Sequence, residues 1–197
     1  MYMKLIRNNT FETNSSSTHA IVVPRKPNYK KLSHVDFKWG EFGWEYVVYY
    51  DTPNKANYLY TMIRYFDGEY IPEYNKSALY LETIKKYLDE ENITYSFELS
   101  SSDTWGDGYV DHGADSPEVI EGILKTKESF LTYLFDKRAY VSTGNDNDRG
   151  YYLPEIGCSD DYYSWDDDEE EYRKGQEKYN NACKEYELDY DVYYKGN

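Results

Sequence analysis

The sequence has few of the residues that cross-link small domains or bind metals. Its 197 residues include 2 Cys and 3 His, and Cys158 and Cys183 lie far apart with no second cysteine beside either. This spacing matches neither a disulfide framework nor a zinc-binding motif. A chain of this length can bury a sizeable core without such cross-links. We therefore expect the fold to depend on packing alone.

Long apolar runs are also missing. No uninterrupted apolar stretch reaches about 18 residues, the length that indicates a membrane-spanning helix. Residues 1–7 form a segment too short and too polar for a secretory signal. The expected location is the cytoplasm, and no membrane partner is expected.

Basic residues are outnumbered by acidic residues in the chain as a whole. There are 37 acidic and 22 basic residues, a net charge of −15, and residues 155–197 alone hold 14 acidic and 5 basic residues. A field of this sign repels phosphate backbones and anionic lipids. Direct nucleic-acid binding is therefore disfavoured, and the expected partner is a protein with a basic surface.

Tyrosine is the residue that is over-represented, with 26 copies. Two interpretations stay open. Tyrosine either replaces Leu and Phe at the edges of the core or forms an aromatic binding surface, because its ring is apolar and its hydroxyl polar.

Local patterns predict short strands alternating irregularly with helices. Helical spacing of apolar residues follows Thr52-Pro53 and again Ser116-Pro117, which are typical helix starts. The predicted strands span residues 2–7, 19–23, 44–50, 93–99 and 139–142, with 44–50 at the centre of the sheet. The predicted helices span 52–67, 76–90 and 117–136, the last as one helix or two. Residues 24–43 are predicted to be irregular. This order favours an α+β fold, with a mixed or antiparallel sheet and helices on one face.

The composition changes near residue 155. We expect an α+β domain over residues 1–154 and an acidic, Tyr-rich extension over 155–197 that contains a helix and an exposed strand. Weak apolar periodicity in the extension predicts that residues 166–197 of it are dispensable for folding. Its run of carboxylates is the candidate partner-binding segment: Asp166, Asp167, Asp168, Glu169, Glu170 and Glu171.

Polar side chains concentrate between the first two predicted strands. Asn14, Ser15 and His19 lie in a hydroxyl-rich segment, where a hydroxyl beside an imidazole could supply a nucleophile and a base. The alternative is a turn whose side chains bond to their own backbone.

A second polar loop surrounds Asp111 and His112. Flanking glycines allow close approach of a ligand, and Asp–His pairs occur in acid–base and metal sites, although an ordinary solvated loop explains the same residues. No cofactor is predicted. A divalent metal stays open, with Asp107, Asp146 and Asp148 as weak candidate ligands.

Three segments resemble a group of uncharacterised phage and prophage proteins. They are the opening R-x-x-x-F-E-T-N-S-S-S-T-H over residues 7–19, the stretch 40–45 that holds Glu41, and the loop around residues 110–112. The resemblance implies an origin on a mobile element and implies no activity. It draws attention to Asn14, His19, Glu41 and His112, and it does not extend to the C-terminal segment.

Two classes of function follow. The first is a phage-encoded accessory protein that binds a host protein and inhibits a nucleic-acid-acting defence system through an acidic, DNA-like surface. The second is a small hydrolase-like or nucleotide-acting enzyme with a site built from Asn14, Ser15, His19, Glu41, Asp111 and His112. A structural protein of the virion is a third. Convergence of the three polar segments on one site would favour the enzyme.

Overall fold

The computed structural model describes residues 17–43, 45–65, 76–99, 108–111, 117–145, 153–157, 159–164 and 166–195. The helices are α1 (Thr52–Tyr65), α2 (Ser77–Glu90), α3 (Pro117–Leu124), α4 (Lys127–Phe135) and α5 (Glu169–Asp189). The strands are β1 (Ser17–Pro24), β2 (His34–Phe37), β3 (Glu41–Phe42), β4 (Val47–Tyr49), β5 (Thr94–Phe97), β6 (Tyr109–Val110), β7 (Tyr140–Asn145) and β8 (Tyr190–Lys195). The predicted α+β class is confirmed. The strand predicted over residues 2–7 lies outside the described residues.

The main sheet is antiparallel and has four strands in the order β4-β7-β1-β8. Strand β1 lies in its interior, as its Ile-Val-Val run indicates, and all eight of its residues are buried. Its side chains alternate between two clusters. Ile21 and Val23 pack against α1–α4 on one face, whereas Ala20 and Val22 pack on the other face in a cluster that includes Tyr186 of α5. The sheet is therefore covered on both sides near its centre.

Two small parallel ladders, β2-β5 and β3-β6, stand beside the main sheet. They correct the prediction that residues 24–43 are irregular. In β2, Val35 and Phe37 are buried and alternate with exposed residues. Four residues that alternate between buried and exposed are enough to form a strand when a second strand pairs with them. The prediction missed this strand because the surrounding Pro and Gly residues are typical of loops.

The predicted central strand at residues 44–50 is also corrected. Only Val47–Tyr49 forms a strand, and β4 lies at an edge of the sheet. All three of its residues are half-buried. A run of apolar and aromatic residues usually indicates a central strand that is buried on both faces. An edge strand can have the same sequence pattern when it contains tyrosines, because their hydroxyls can reach water.

Helix α1 begins differently from the prediction. Asp51, and not Thr52, caps its first turn, since Asp51 Oδ1 accepts from the Asn54 backbone N–H at 2.9 Å. The Thr52 hydroxyl instead donates to the Leu134 carbonyl at 2.8 Å. This bond joins the start of α1 to α4.

The open question about residues 117–136 is resolved as two helices. Thr126 caps α4 by accepting from the Ser129 N–H at 3.0 Å. Helical spacing of apolar residues predicts which side of each helix faces the core, and seven residues predicted in this way are buried: Leu59, Ile63, Ile84, Ile120, Leu124, Leu131 and Leu134. The same spacing predicts Ala78 and Leu81 on the inner face of α2, but Ala78 is exposed, Leu81 is half-buried, and Tyr80 is buried instead. Phe66 lies outside the described residues.

The C-terminal segment contributes a strand to the main sheet. Strand β8 pairs with β1 from His19↔Lys195 to Pro24↔Tyr190. The expectation that this segment is dispensable for folding is therefore at odds with the structure. Among the helices that the structure describes, none combines the length and apolar character needed to cross a bilayer.

Candidate functional site

Three of the predicted site residues are described, and each sits on a different strand or strand end. They are His19 in β1, Glu41 in β3 and Asp111 directly after β6. The remaining candidates lie outside the described residues: Asn14, Ser15, Asp107, His112, Asp146 and Asp148.

His19 is fully buried and holds two segments together. Its Nε2 lies 3.0 Å from the Gly43 carbonyl oxygen. A carbonyl only accepts, so Nε2 carries the proton and the neutral ring presents a lone pair at Nδ1. That nitrogen accepts from the Tyr58 hydroxyl at 2.8 Å. Complete burial raises the pKa of Tyr58 well above its usual range, so the hydroxyl remains a donor.

Glu41 and Asp111 come together through the β3-β6 ladder. Glu41 pairs with Tyr109 and Phe42 with Val110, and the Asp111 N–H donates to the Phe42 carbonyl at 2.8 Å. Phe42 and Val110 are buried, and side chains alternate along a strand. Glu41, Tyr109 and Asp111 therefore lie on the opposite, more accessible side of the ladder.

The described residues of the three polar segments are linked through β3. The His19 ring bonds to Gly43, which lies two residues after Glu41, and the Asp111 N–H bonds to Phe42, next to Glu41. Chemically, two carboxylates near one another can hold a cation or move a proton. Among the described residues, however, no three His, Cys, Asp or Glu side chains lie close enough to hold a metal ion.

Comparisons with protein-family models, curated proteins and solved structures gave no match. Roles for these residues therefore come from geometry alone. For His19 the geometry favours a structural role, because a buried imidazole with both nitrogens engaged has no site left for a substrate.

We expect His19→Ala to destabilise the fold by about 2–4 kcal/mol, because it leaves the buried Tyr58 hydroxyl and the Gly43 carbonyl without this partner. Urea unfolding measures the change. His19→Gln keeps a donor and an acceptor and serves as the control, with a smaller loss. An unchanged melting temperature in His19→Ala would show that the ring does not hold these segments.

The acidic run divides into structural and solvent-facing carboxylates. Asp168 caps α5 by accepting from the Glu170 and Glu171 N–H groups, at 3.0 and 2.9 Å. Asp167 accepts from the Ser164 N–H at 2.7 Å, and Glu170 pairs with Lys174. All members of the run except Asp167 are exposed, and the three whose side chains take no part in these contacts are Asp166, Glu169 and Glu171.

One polar cluster was missed by the sequence analysis, which assigned His34 no role. His34, Asp36, Thr94 and Ser96 lie together on β2 and β5. The available signal was the matched alternation of His-Val-Asp-Phe and Thr-Tyr-Ser-Phe. It was missed because only tertiary pairing brings together residues 60 positions apart.

Proposed function

We propose that this chain is a cytosolic accessory protein encoded by a phage or prophage, which binds a host protein through its C-terminal acidic helix. The partner is a protein whose basic surface normally holds nucleic acid, such as a defence nuclease. The chain acts by occupying that surface, and no reaction is required.

The observation that supports this proposal is the exposure of α5. The helix has 21 residues, and only Tyr186 is fully buried, although one face packs against Tyr162 and Tyr163. The other faces are polar and exposed, so they gain little from packing against the rest of the chain. Such a helix is well suited to contacting a second protein.

Charge indicates the kind of partner. Asp166, Glu169 and Glu171 are exposed around the start of α5, in a chain of net charge −15. Carboxylates arrayed on a rigid element resemble the phosphates of a nucleic acid in sign. Complementary charge accelerates association with a basic surface and makes it sensitive to salt.

The test compares two triple variants with equal charge changes. Asp166→Asn, Glu169→Gln and Glu171→Gln remove three charges beside α5 and keep the Asp168 cap. Glu82→Gln, Glu118→Gln and Glu128→Gln remove three exposed charges elsewhere. We expect the wild type and the second variant to retain a host protein from lysate, with release by salt and by double-stranded DNA. The first variant should retain at least about tenfold less.

Three outcomes contradict the proposal. In the first, double-stranded DNA does not displace the retained host protein. In the second, both triple variants retain equal amounts of it. In the third, the wild type retains no host protein.

A second candidate is the enzyme, favoured by the convergence of Glu41 and Asp111 on one ladder. A ligand of that site raises the melting temperature by mass action. We expect stabilisation by a nucleotide in the wild type and its loss in Glu41→Gln and Asp111→Asn if this candidate is correct. Equal stabilisation of all three proteins, or none, would rule it out for nucleotides.

A further inference from the structure

The β2-β5 ladder presents four polar side chains on one exposed face. Its parallel register places His34 opposite Thr94 and Asp36 opposite Ser96. All four are exposed, and they alternate with the inward-facing Val35, Phe37, Tyr95 and Phe97. Residues i and i+2 of neighbouring strands share a face. The cluster is therefore fixed by backbone pairing.

The hydrogen bonds of this cluster run in one direction. Asp36 Oδ1 lies 2.5 Å from Ser96 Oγ and 3.0 Å from His34 Nε2. A carboxylate only accepts, so the neutral imidazole carries its proton on Nε2 and its lone pair on Nδ1. Nδ1 lies 2.7 Å from Thr94 Oγ1. In this tautomer the Thr94 hydroxyl can donate to His34, and His34 donates to Asp36.

Two further contacts bear on this direction. The Ser33 carbonyl accepts the Thr94 backbone N–H and the Thr94 hydroxyl, each at 3.0 Å, so the hydroxyl proton is shared between the Ser33 carbonyl and the closer His34 Nδ1 at 2.7 Å. The hydrogen bonds from Ser96 and then from His34 lower the pKa of Asp36. Asp36 therefore stays ionised at neutral pH and keeps the proton on Nε2.

The geometry points to a second site on this protein, in which Thr94 is a nucleophile, His34 its general base and Asp36 the group that orients His34. A nucleophile and a base within hydrogen-bond reach, with the base held by a third group, are the parts of a hydroxyl-dependent acyl-transfer site. The His34 and Asp36 side chains are 47% and 50% exposed, so small activated esters can reach them. This inference is independent of the proposed binding function.

The reaction balances with the groups present and water. Thr94 Oγ1 bonds to the ester carbonyl carbon while its proton passes to His34 Nδ1, and the bond from that carbon to the alcohol oxygen breaks. The departing alkoxide takes the proton from Nδ1, whereas a phenolate leaves as an anion and His34 then releases that proton to water. Water then attacks the acyl group with His34 as base, and Thr94 regains its proton as the acid is released.

The test is hydrolysis of p-nitrophenyl acetate by the full chain and by four variants. We expect Thr94→Val to lose about tenfold or more and His34→Gln about 100-fold, because general base catalysis has that magnitude. Thr94→Ser should retain activity because it keeps the hydroxyl. Glu118→Gln, an exposed residue outside the cluster, should leave the rate unchanged.

Mass spectrometry supplies a readout that a structural role would not affect. We expect an acetyl group on Thr94 in the wild type and none at residue 94 in Thr94→Val. Full activity in a folded Thr94→Val would show that His34 acts only as an ordinary surface imidazole, and it would overturn the proposal. The absence of hydrolysis above that of free imidazole would overturn it as well.

Discussion

Raising the pH from about 9 to about 11 is expected to lower the free energy of unfolding by about 5 kcal/mol. A single domain is stabilised by about 5–15 kcal/mol in total. This step alone should therefore bring the protein close to its unfolding midpoint or past it. The main cause is a set of four buried tyrosines. Burial also raises the pKa of Tyr80 to about 12, which adds to the loss, and lowers the pKa of Lys55 to about 8, which opposes it by a similar amount.

Each of the four hydroxyls is kept neutral by the fold. Burial raises the pKa of Tyr58 and Tyr133 well above the usual range. Burial also raises the pKa of Tyr140 and of Tyr186, and the two hydroxyls lie 3.1 Å apart. Both donate to Glu155 Oε2, each at 2.9 Å. A tyrosinate at any of these places would lose its solvation.

The direction of the pH effect follows from which state holds more protons. In the unfolded chain a tyrosine loses its proton near pH 10, whereas in the native state all four stay protonated. Stability is thus fully present below about pH 10 and falls above it, by about 1.4 kcal/mol per pH unit for each tyrosine.

Urea unfolding at pH values between about 9 and 11 measures the slope, and tyrosinate absorbance shows when the buried hydroxyls ionise. Tyr133→Phe should reduce the slope by about a quarter, since one of four groups is removed. Gradual ionisation of all tyrosines in a protein whose urea midpoint stays constant would contradict this account.

The sequence predicted those parts of the fold in which local pattern and burial agree. The Ile-Val-Val run of β1 and the spacing of Leu59 and Ile63 in α1 indicated buried elements, and both are buried. Hydrophobic periodicity is a local signal, so it predicts a buried helix or strand even when the element that packs against it is unknown.

Position within the sheet could not be predicted in the same way. Val47–Tyr49 has the apolar pattern of a central strand but lies at the edge, and Glu41–Phe42 becomes a strand only because Tyr109–Val110 lies beside it. Strand pairing depends on contacts far apart in sequence. Neither composition nor period contains that information.

The candidate site was also predicted only in part, because its residues were visible in the sequence and their contacts were not. The sequence marked His19, Glu41 and Asp111 as polar residues near strands, and the structure links them through β3. The number of bonds that His19 makes could not be foreseen, because Tyr58 and Gly43 lie 39 and 24 positions away. An imidazole that looks catalytic in sequence is here a structural connector.

Ending the chain after Asp189 is expected to abolish cooperative unfolding. The truncation removes β8, so the backbone groups of β1 that bond to it must bond to water, and the apolar surface that β8 covers becomes exposed. Each hydrogen bond exchanged in this way costs about 0.5–1.5 kcal/mol. Several such losses approach or exceed the total stability of a single domain.

The side chains of β8 add to this loss. Asp191 pairs with Arg25 at 3.0 Å and with Lys125 at 2.6 Å. The Tyr193 ring packs so closely on α3 that a Cβ placed on Gly122 would lie 2.3 Å from it. Strand β8 is thus held to both β1 and α3, which explains why weak apolar periodicity in the C-terminal segment does not make it dispensable.

Ending the chain after Lys195 provides the matched control, because it keeps all of β8 and should unfold at the urea midpoint of the full chain. In the shorter variant we expect a broad urea transition and rapid hydrogen exchange at β1, the strand that has lost a neighbour. A synthetic peptide covering residues 190–197 should restore part of the exchange protection by pairing with β1. If the chain that ends at Asp189 instead unfolds sharply at the full-length midpoint, β8 is a surface addition and the main sheet is stable with three strands.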